Sequence, residues 1–249
     1  MDFRHISSTA LATILLVACG QVDRGAADRF TSTGEMIAMS GGDAGAAHSC
    51  MACHGLDGLG NGDGAPRLAG LDRGYMVAQL MAYSSGQREH PEMAAIARKL
   101  TPTQQDAVSA YYAAMPFVGM ASASSSGFQD GATLYHRGDA ERDLAPCASC
   151  HGSQGEGIGS ANPPLGGQPA SYLAEQLHQW RAAKRRNDPE GMMLRISQAL
   201  SPAESAALAE YASGLPGHSQ RPESPAASPA EHRDDPRSDV SVPPRHATE

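Results

Sequence analysis

The stretch CMACHG at residues 50–55 returns as CASCHG at residues 147–152, at an offset of 97 residues (147 minus 50). The segments PRLAG and PPLGG, which follow the two motifs, coincide at the same offset. Later in each half the offset grows to 100 (193 minus 93), so that Met93 meets Met193. One three-residue insertion explains this change. The chain is therefore built from two tandem repeats.

Each repeat is predicted to be all α-helical. A short helix runs into the motif, and a Gly-rich loop follows it. We expect an amphipathic helix near 74–84 in the first repeat and at 170–184 in the second, where apolar residues recur at helical spacing. A last helix begins at TP (101–102) and at SP (201–202), because each pair places an N-cap residue before a proline. The predicted fold class is all-α, with two tandem domains and no packed strand.

The length, charge and aromatic content of the chain limit the classes of function it can have. The chain has 249 residues, which is enough for two domains of about 100 residues each. Its formal net charge of −8 argues against nucleic-acid binding, which needs clustered Lys and Arg. Only 5% of the residues are aromatic, which is few for a core filled by its own side chains. We therefore expect another apolar body to fill part of each core.

The N-terminus has the order of a secretory signal: Arg4, an apolar run at 10–18, and then Cys19. Residues 1–18 are predicted to be a signal peptide, which indicates export to the periplasm. LVAC at 16–19 resembles a bacterial lipobox, in which the cysteine becomes the lipidated first residue; the alternative is an ordinary cleaved signal. The apolar run is too short to span a bilayer, which takes about 20 residues. A lipid on Cys19 is the expected membrane attachment.

The rest of the chain divides by composition. The predicted parts are a tether at 19–33, a first domain at 34–118, a small-residue linker at 119–127, a second domain at 128–216 and a tail at 217–249. The tail is rich in Pro, Ser and charged residues and has almost no apolar ones. It cannot bury enough surface to offset the entropy of ordering, so we expect it to be disordered.

The two C-x-x-C-H motifs leave three interpretations. Of five cysteines, Cys19 stands apart and the others form two pairs, Cys50 with Cys53 and Cys147 with Cys150. Redox disulfides of the thioredoxin type need a βαβ context, which is missing, and a closed zinc site needs four ligands, of which each motif supplies three. Covalent haem attachment fits best, because the two thiols meet the two vinyl positions on one haem edge while the adjacent His binds the iron. The sequence therefore predicts two haem c groups.

With their Pro-x-Leu-x-Gly segments and a Met ahead of the last helix, residues 42–216 resemble class I c-type cytochromes, specifically the di-haem cytochrome c4 family. The resemblance implies two all-α domains, each wrapped around one covalently bound haem with His and Met as axial ligands. The His ligands would be His54 and His151. In such proteins the carbonyl of the Pro twelve residues after the His accepts its ring N–H, and Pro66 and Pro163 stand at these positions.

The second axial ligand must be chosen among 11 Met and 10 His. Met93 and Met193 each lie eight residues before the start of the last helix of their repeat. Equal spacing therefore selects these two, with Met192 as the runner-up. His90 competes in the first repeat and would lower the reduction potential relative to Met. The second repeat has Asp188 in its place, so Met is expected at both irons.

A His and a Met on each iron leave no coordination position for a substrate, which favours electron transfer over catalysis. We expect a periplasmic di-haem carrier of electrons between respiratory donors and a terminal oxidase or reductase, with no catalytic residue. Two alternatives remain. One is a haem enzyme of the peroxidase or thiosulfate-oxidising type, and the other is a cytochrome subunit of a larger dehydrogenase or oxidase. Redox proteins are the expected partners in every case.

Overall fold

A computed structural model describes residues 33–62, 64–117 and 128–217. Within these ranges the chain forms helices and turns, and strand pairing is limited to isolated bridges. The predicted all-α class is confirmed. The predicted signal peptide and linker, nearly all of the tether and all but the first residue of the predicted tail lie outside the described residues, as does Cys19.

The described part of each repeat has the same order of helices. In the first repeat these are α1 (Gly34–Ser40), α2 (Met51–His54), α3 (Arg73–Ser85), α4 (Pro91–Lys99) and α5 (Pro102–Ala113). In the second they are α6 (Phe128–Arg137), α7 (Ala148–His151), α8 (Ala170–Arg181), α9 (Met192–Ala199) and α10 (Pro202–Ser213). Short 3-10 turns lie at Gly42–Ala44, Ala46–His48, Ala140–Arg142 and Pro189–Gly191. The duplication seen in the sequence is thus a duplication of structure.

The starts of α5 and α10 agree with the prediction. The Thr101 hydroxyl accepts from the Gln104 amide at 3.2 Å, and the Gln104 side chain accepts from the Thr101 amide at 3.2 Å. Ser201 and Glu204 make the same reciprocal pair at 3.2 and 2.8 Å. These capping boxes satisfy amide groups that would otherwise lack partners at the first turn.

Two details of the helices differ from expectation. The helix predicted at 170–184 ends at Arg181, because Ala183 takes a left-handed conformation (φ 54°) and Arg185 pairs with the first repeat. The helices α4 and α9 were not foreseen. They are important for the site, since they carry Met93 and Met193.

The first and last helices of each repeat pack closely against each other through a glycine. A Cβ added to Gly34 would lie 2.1 Å from the Ala107 carbonyl oxygen, and one added to Gly131 would lie 2.4 Å from that of Ala207. No side chain fits in that space. The two repeats thus use the same device to bring α1 onto α5 and α6 onto α10.

Each core contains a buried tyrosine, which comes from the last helix in the first repeat and from the first helix in the second. In the first repeat α1 carries Ala38 and α5 carries buried Tyr112. In the second repeat α6 carries fully buried Tyr135 and α10 carries Ala212 at the matching positions. The exchange keeps one large and one small residue at each helix crossing, so the packed volume is conserved.

Backbone pairing joins the two repeats. The Glu89 amide donates to the Lys184 carbonyl at 2.9 Å, and the Arg186 amide donates to the Gln87 carbonyl at 2.7 Å. A second contact involves Gly167, where an added Cβ would lie 2.2 Å from the ring of Phe117. The segment just after α3 thus meets the segment just after α8.

Candidate functional site

The two motif histidines are held in the same way. The His54 ring Nδ1 donates to the Pro66 carbonyl at 2.9 Å, and that of His151 donates to the Pro163 carbonyl at 2.9 Å. Burial lowers the pKa of both rings, and the hydrogen bond to each carbonyl only partly opposes this. Each ring is therefore neutral, with Nε2 unprotonated. This is the form of imidazole that binds a metal ion.

The four motif cysteines are free thiols. Burial raises the pKa of Cys50 and that of Cys147 to about 11. Cysteines that attack disulfides have a lowered pKa, because the thiolate is the reactive form. The first thiol of each motif therefore lacks the electrostatics of a thioredoxin-type redox cysteine.

The candidate methionines lie at the start of α4 and α9. Met93 and Met193 are half-buried, whereas Met192 is 44% exposed. The Met93 amide donates to the His90 ring Nδ1 at 3.4 Å, and the Met193 amide donates to the Asp188 carboxylate at 2.7 Å. His90 and Asp188, which align in the two repeats, thus both accept a hydrogen bond from the first turn of the helix that carries the methionine.

Comparison with known proteins establishes the family. The cytochrome c profile matches residues 40–115 and 128–215. The chain is 44% identical over 181 residues to the thiosulfate dehydrogenase electron acceptor of Stutzerimonas stutzeri (strain A1501), covering 72% of this chain and 84% of that protein. It superposes on reduced recombinant cytochrome c4 from Pseudomonas stutzeri with a TM-score of 0.62 and 31% identity, over 67% of this chain and 93% of that one. The chain belongs to the di-haem cytochrome c4 family.

A second structural neighbour of this cytochrome is a larger protein. It is thiosulfate dehydrogenase (TsdBA) from Marichromatium purpuratum, with a TM-score of 0.64 and 42% identity over 72% of this chain. The match spans 39% of the length of that protein, which is less than half. Together these relatives show a c-type cytochrome with two haem c groups and a function in electron transfer.

Two buried arginines of the cytochrome fit the acidic groups of haem. Arg88 and Arg185 occupy matching positions in the repeats and are 4% and 3% exposed. Within the described residues both guanidinium groups donate to neutral oxygen atoms and neither meets a carboxylate. The acceptors at 2.7 to 3.3 Å are the side-chain oxygens of Gln79, Gln176 and Asn187 and the hydroxyls of Tyr75 and Tyr172. Buried charges normally have a counter-charge, so this cluster is short of negative charge.

Two neighbouring aromatic residues support the same conclusion. Burial alone would raise the pKa of Tyr172, but the guanidinium groups of Arg88 and Arg185 outweigh it and lower the pKa. The Trp180 ring stacks on Arg185 at 3.8 Å, and its buried indole N–H has no acceptor among the described residues. A buried donor without an acceptor is costly. The propionate carboxylates of haem would supply both the charge and the acceptor, so the residues present fit the group.

The structure contains the two hydrogen bonds between histidine and proline that the resemblance implied. The first cysteine of each pair is the N-cap of a short helix that contains the second cysteine and ends in the histidine. Sequence reasoning missed Arg88 and Arg185. Their equivalence at the offset of 97 residues was the available signal. None of the helices in the described segments has the length and apolar character that would allow it to cross a membrane.

Proposed function

We propose that this cytochrome accepts electrons from a thiosulfate dehydrogenase in the periplasm and passes them on to a respiratory acceptor such as a terminal oxidase or reductase. The observation that carries the proposal is 44% identity with a thiosulfate dehydrogenase electron acceptor over 84% of that protein. The likeness to a region of thiosulfate dehydrogenase (TsdBA) supports it. The proposal keeps the electron carrier expected from the sequence and names one donor for it.

The proposed ligands follow the duplicated geometry. His54 with Met93 would bind one iron, and His151 with Met193 would bind the other. The exposure of Met192 supports Met193 as the ligand of the second repeat. Haem supplies reversible one-electron chemistry when it is bound. The chain's own contribution is to anchor the group through its cysteine pairs and to orient each imidazole through a proline carbonyl.

The buried arginines would hold the propionates. Arg88 and Arg185 lie at the boundary of the repeats, where the side chains of both repeats converge. If they hold the propionates, the positive charges of Arg88 and Arg185 would favour the reduced state, because the oxidised haem carries one more positive charge. A methionine ligand acts in the same direction. The cluster therefore supports a carrier of relatively high potential that can receive electrons from a dehydrogenase.

Reduction by the enzyme tests the proposal. Oxidised holoprotein is mixed in a stopped-flow instrument with purified thiosulfate dehydrogenase from Stutzerimonas stutzeri and thiosulfate, and haem absorbance is followed. We expect both haems to be reduced when enzyme and thiosulfate are both present, and no reduction when either is left out. If dithionite reduces the protein but the enzyme does not, the proposed donor is wrong. If thiosulfate alone reduces it and is consumed with turnover, the haem-enzyme alternative holds.

Location needs a separate test. We propose that residues 1–18 direct export and that Cys19 carries a lipid, both of which lie outside the described residues. The Cys19→Ser variant is expected to move from the membrane fraction to the soluble periplasmic fraction without losing haem. A protein that is soluble before the substitution, or that stays on the membrane after it, contradicts lipid anchoring.

A further inference from the structure

One peptide group of the first repeat makes hydrogen bonds through both its carbonyl and its N–H. The Pro66 carbonyl accepts from His54, and the N–H of the same peptide, which belongs to Arg67, donates to the Gln168 side-chain oxygen at 3.0 Å. Gln168 comes from the second repeat. Its side-chain amide donates back to the Arg67 carbonyl at 2.9 Å. A single glutamine thus holds the backbone on both sides of Arg67.

This contact is buried and tightly packed. Gln168 is 4% exposed and Arg67 is 1% exposed. The Arg67 guanidinium donates to the Ala69 carbonyl and, at 3.1 Å, to the Gly166 carbonyl of the other repeat, and it stacks on the Phe117 ring at 3.7 Å. Water is kept out, and the amide of Gln168 has both of its groups occupied. The second repeat therefore helps to fix the orientation of the Pro66 carbonyl.

The bond to Gln168 also changes how strongly the carbonyl accepts. When the N–H of a peptide donates a hydrogen bond, electron density shifts to the oxygen of that peptide, and hydrogen bonds in a chain strengthen one another. The chain here runs from Gln168 through the Pro66–Arg67 peptide to the His54 ring. A stronger acceptor on Nδ1–H makes the imidazole a more basic ligand.

The second repeat has no such chain. The residue that matches Gln168 at the offset of 97 is Leu71, which has no polar group and is buried in the first core. The residue that matches Arg67 is Pro164, which has no N–H to donate. The Pro163 carbonyl still accepts from His151 at 2.9 Å, but its peptide cannot be polarised in this way. The second repeat can therefore polarise the proline carbonyl of the first repeat, but the first repeat cannot polarise that of the second.

We propose that Gln168 is a positioning residue through which the second repeat sets the ligand strength of His54, and thereby the reduction potential of the first haem alone. This inference rests on the proposed ligation of iron by His54. It gives the boundary between the repeats a second role. Besides holding the two domains together, it makes their haems unequal although their immediate ligands are the same.

The test is the Gln168→Leu variant of the holoprotein, which loses both hydrogen bonds while the side chain keeps a similar size. The two midpoint potentials are measured by spectroelectrochemistry, with the haems assigned from the NMR signals of the two ligand histidines. The His54 Nδ1 proton is expected to shift upfield. The ratio of reduced to oxidised first haem should rise two- to threefold at a given potential, which is about 20–30 mV at 59 mV per tenfold. The second haem should not change.

Gln105→Leu is the matched control. Gln105 is a buried glutamine of the first repeat, 6% exposed, and it donates to the Ala97 carbonyl at 2.9 Å without touching the Pro66–Arg67 peptide. It should lower stability and leave both potentials unchanged. The inference is overturned if Gln168→Leu leaves the first potential unchanged, if both haems shift equally, or if Gln105→Leu gives the same shift.

Failure of the underlying ligation is recognised differently. If the His54→Ala variant keeps the native haem spectrum, His54 is not a ligand and the proposed function loses its first iron site. If His54→Ala loses that spectrum while Gln168→Leu leaves the potential unchanged, the ligation stands and only the role of Gln168 is wrong.

Discussion

Arg88 and Arg185 are partners in an antiparallel β-bridge between the two repeats, and both guanidinium groups are buried. Their contacts cross the boundary: Arg88 donates to the Tyr172 hydroxyl at 2.9 Å, and Arg185 donates to the Tyr75 hydroxyl at 3.3 Å. Each repeat thus supplies a cation to a tyrosine of the other. The boundary between the repeats is therefore a polar contact in which the buried guanidinium groups of Arg88 and Arg185 are both hydrogen-bonded.

Removing one of these arginines should weaken the whole molecule. Arg185→Gln loses the bonds to Gln176, Gln79 and Tyr75 and the stacking on Trp180. Hydrogen bonds from a charged donor contribute about 1.5–3 kcal/mol each and are not additive. We expect the free energy of unfolding of the holoprotein to fall by about 2–4 kcal/mol in urea titrations.

The neighbouring Arg186 is the control for that experiment. Its side chain is 51% exposed, pairs with Glu89 at 3.6 Å, and donates to the Ala183 carbonyl at 2.5 Å and to the Gly86 carbonyl at 3.0 Å. Exposed ion pairs contribute little, so Arg186→Gln should change the free energy of unfolding by about 0.5 kcal/mol or less. Equal losses from the two variants would show that the buried cluster does not hold the repeats together.

The capping box of α10 should make stability depend on pH. The Arg142 guanidinium and the Ser201 amide hold the pKa of Glu204 at about 2, below its ordinary 4.5. A lowered pKa stabilises the folded state above the ordinary value, and this contribution disappears as the pH falls from about 4.5 toward about 2. Glu204→Gln puts the residue of the first repeat, Gln104, into the second. The variant should lose about 1 kcal/mol or less at neutral pH.

Melting temperatures at pH 7, 5 and 3.5 check this expectation. The gap between the native protein and Glu204→Gln should be largest at pH 7 and should shrink below pH 5. Glu210→Gln is the control on the same helix, because that exposed carboxylate has no ion-pair partner among the described residues. A gap that stays constant across the three pH values would contradict the assigned role of Glu204.

The exchanged tyrosines should respond differently to loss of the hydroxyl. The Tyr135 hydroxyl donates to the Gly152 carbonyl at 2.8 Å, directly after the second motif. The Tyr112 hydroxyl is buried with no partner among the described residues. We expect Tyr135→Phe to lower the free energy of unfolding by about 1 kcal/mol and Tyr112→Phe to leave it unchanged or raise it. Equal losses in urea titrations would show that Tyr112 has a partner in the holoprotein.

The resemblance to the cytochrome c4 family predicted the hydrogen bond between each motif histidine and its proline. The spacing of twelve residues from His54 to Pro66 and from His151 to Pro163 became a hydrogen bond of 2.9 Å in both repeats. Such features depend on short stretches of chain, whose conformation is set by turns and caps. The predicted starts of α5 and α10 were correct for the same reason, since a Thr or Ser before a proline determines the cap locally.

Features that depend on long-range contacts were not predictable. Gln168 contacts Arg67 across 101 positions of the chain, and a single sequence has no signal for such a pairing. The helices α4 and α9 were missed for a local reason, because the residues that cap them, His90 and Asp188, differ between the repeats. The end of α8 at Arg181 was missed because Arg185 is drawn into the bridge with the first repeat, so tertiary structure overrides the helical pattern.

The far-red sulfur-to-iron charge-transfer band of the oxidised holoprotein tests the central claim most directly, because it requires a methionine on iron. The account expects Met93→Ala and Met193→Ala each to remove about half of the band, and Met192→Ala, whose side chain is 44% exposed, to leave it intact. An undiminished band in either of the first two variants, or its loss in Met192→Ala, would contradict the proposed pair of His–Met haem sites.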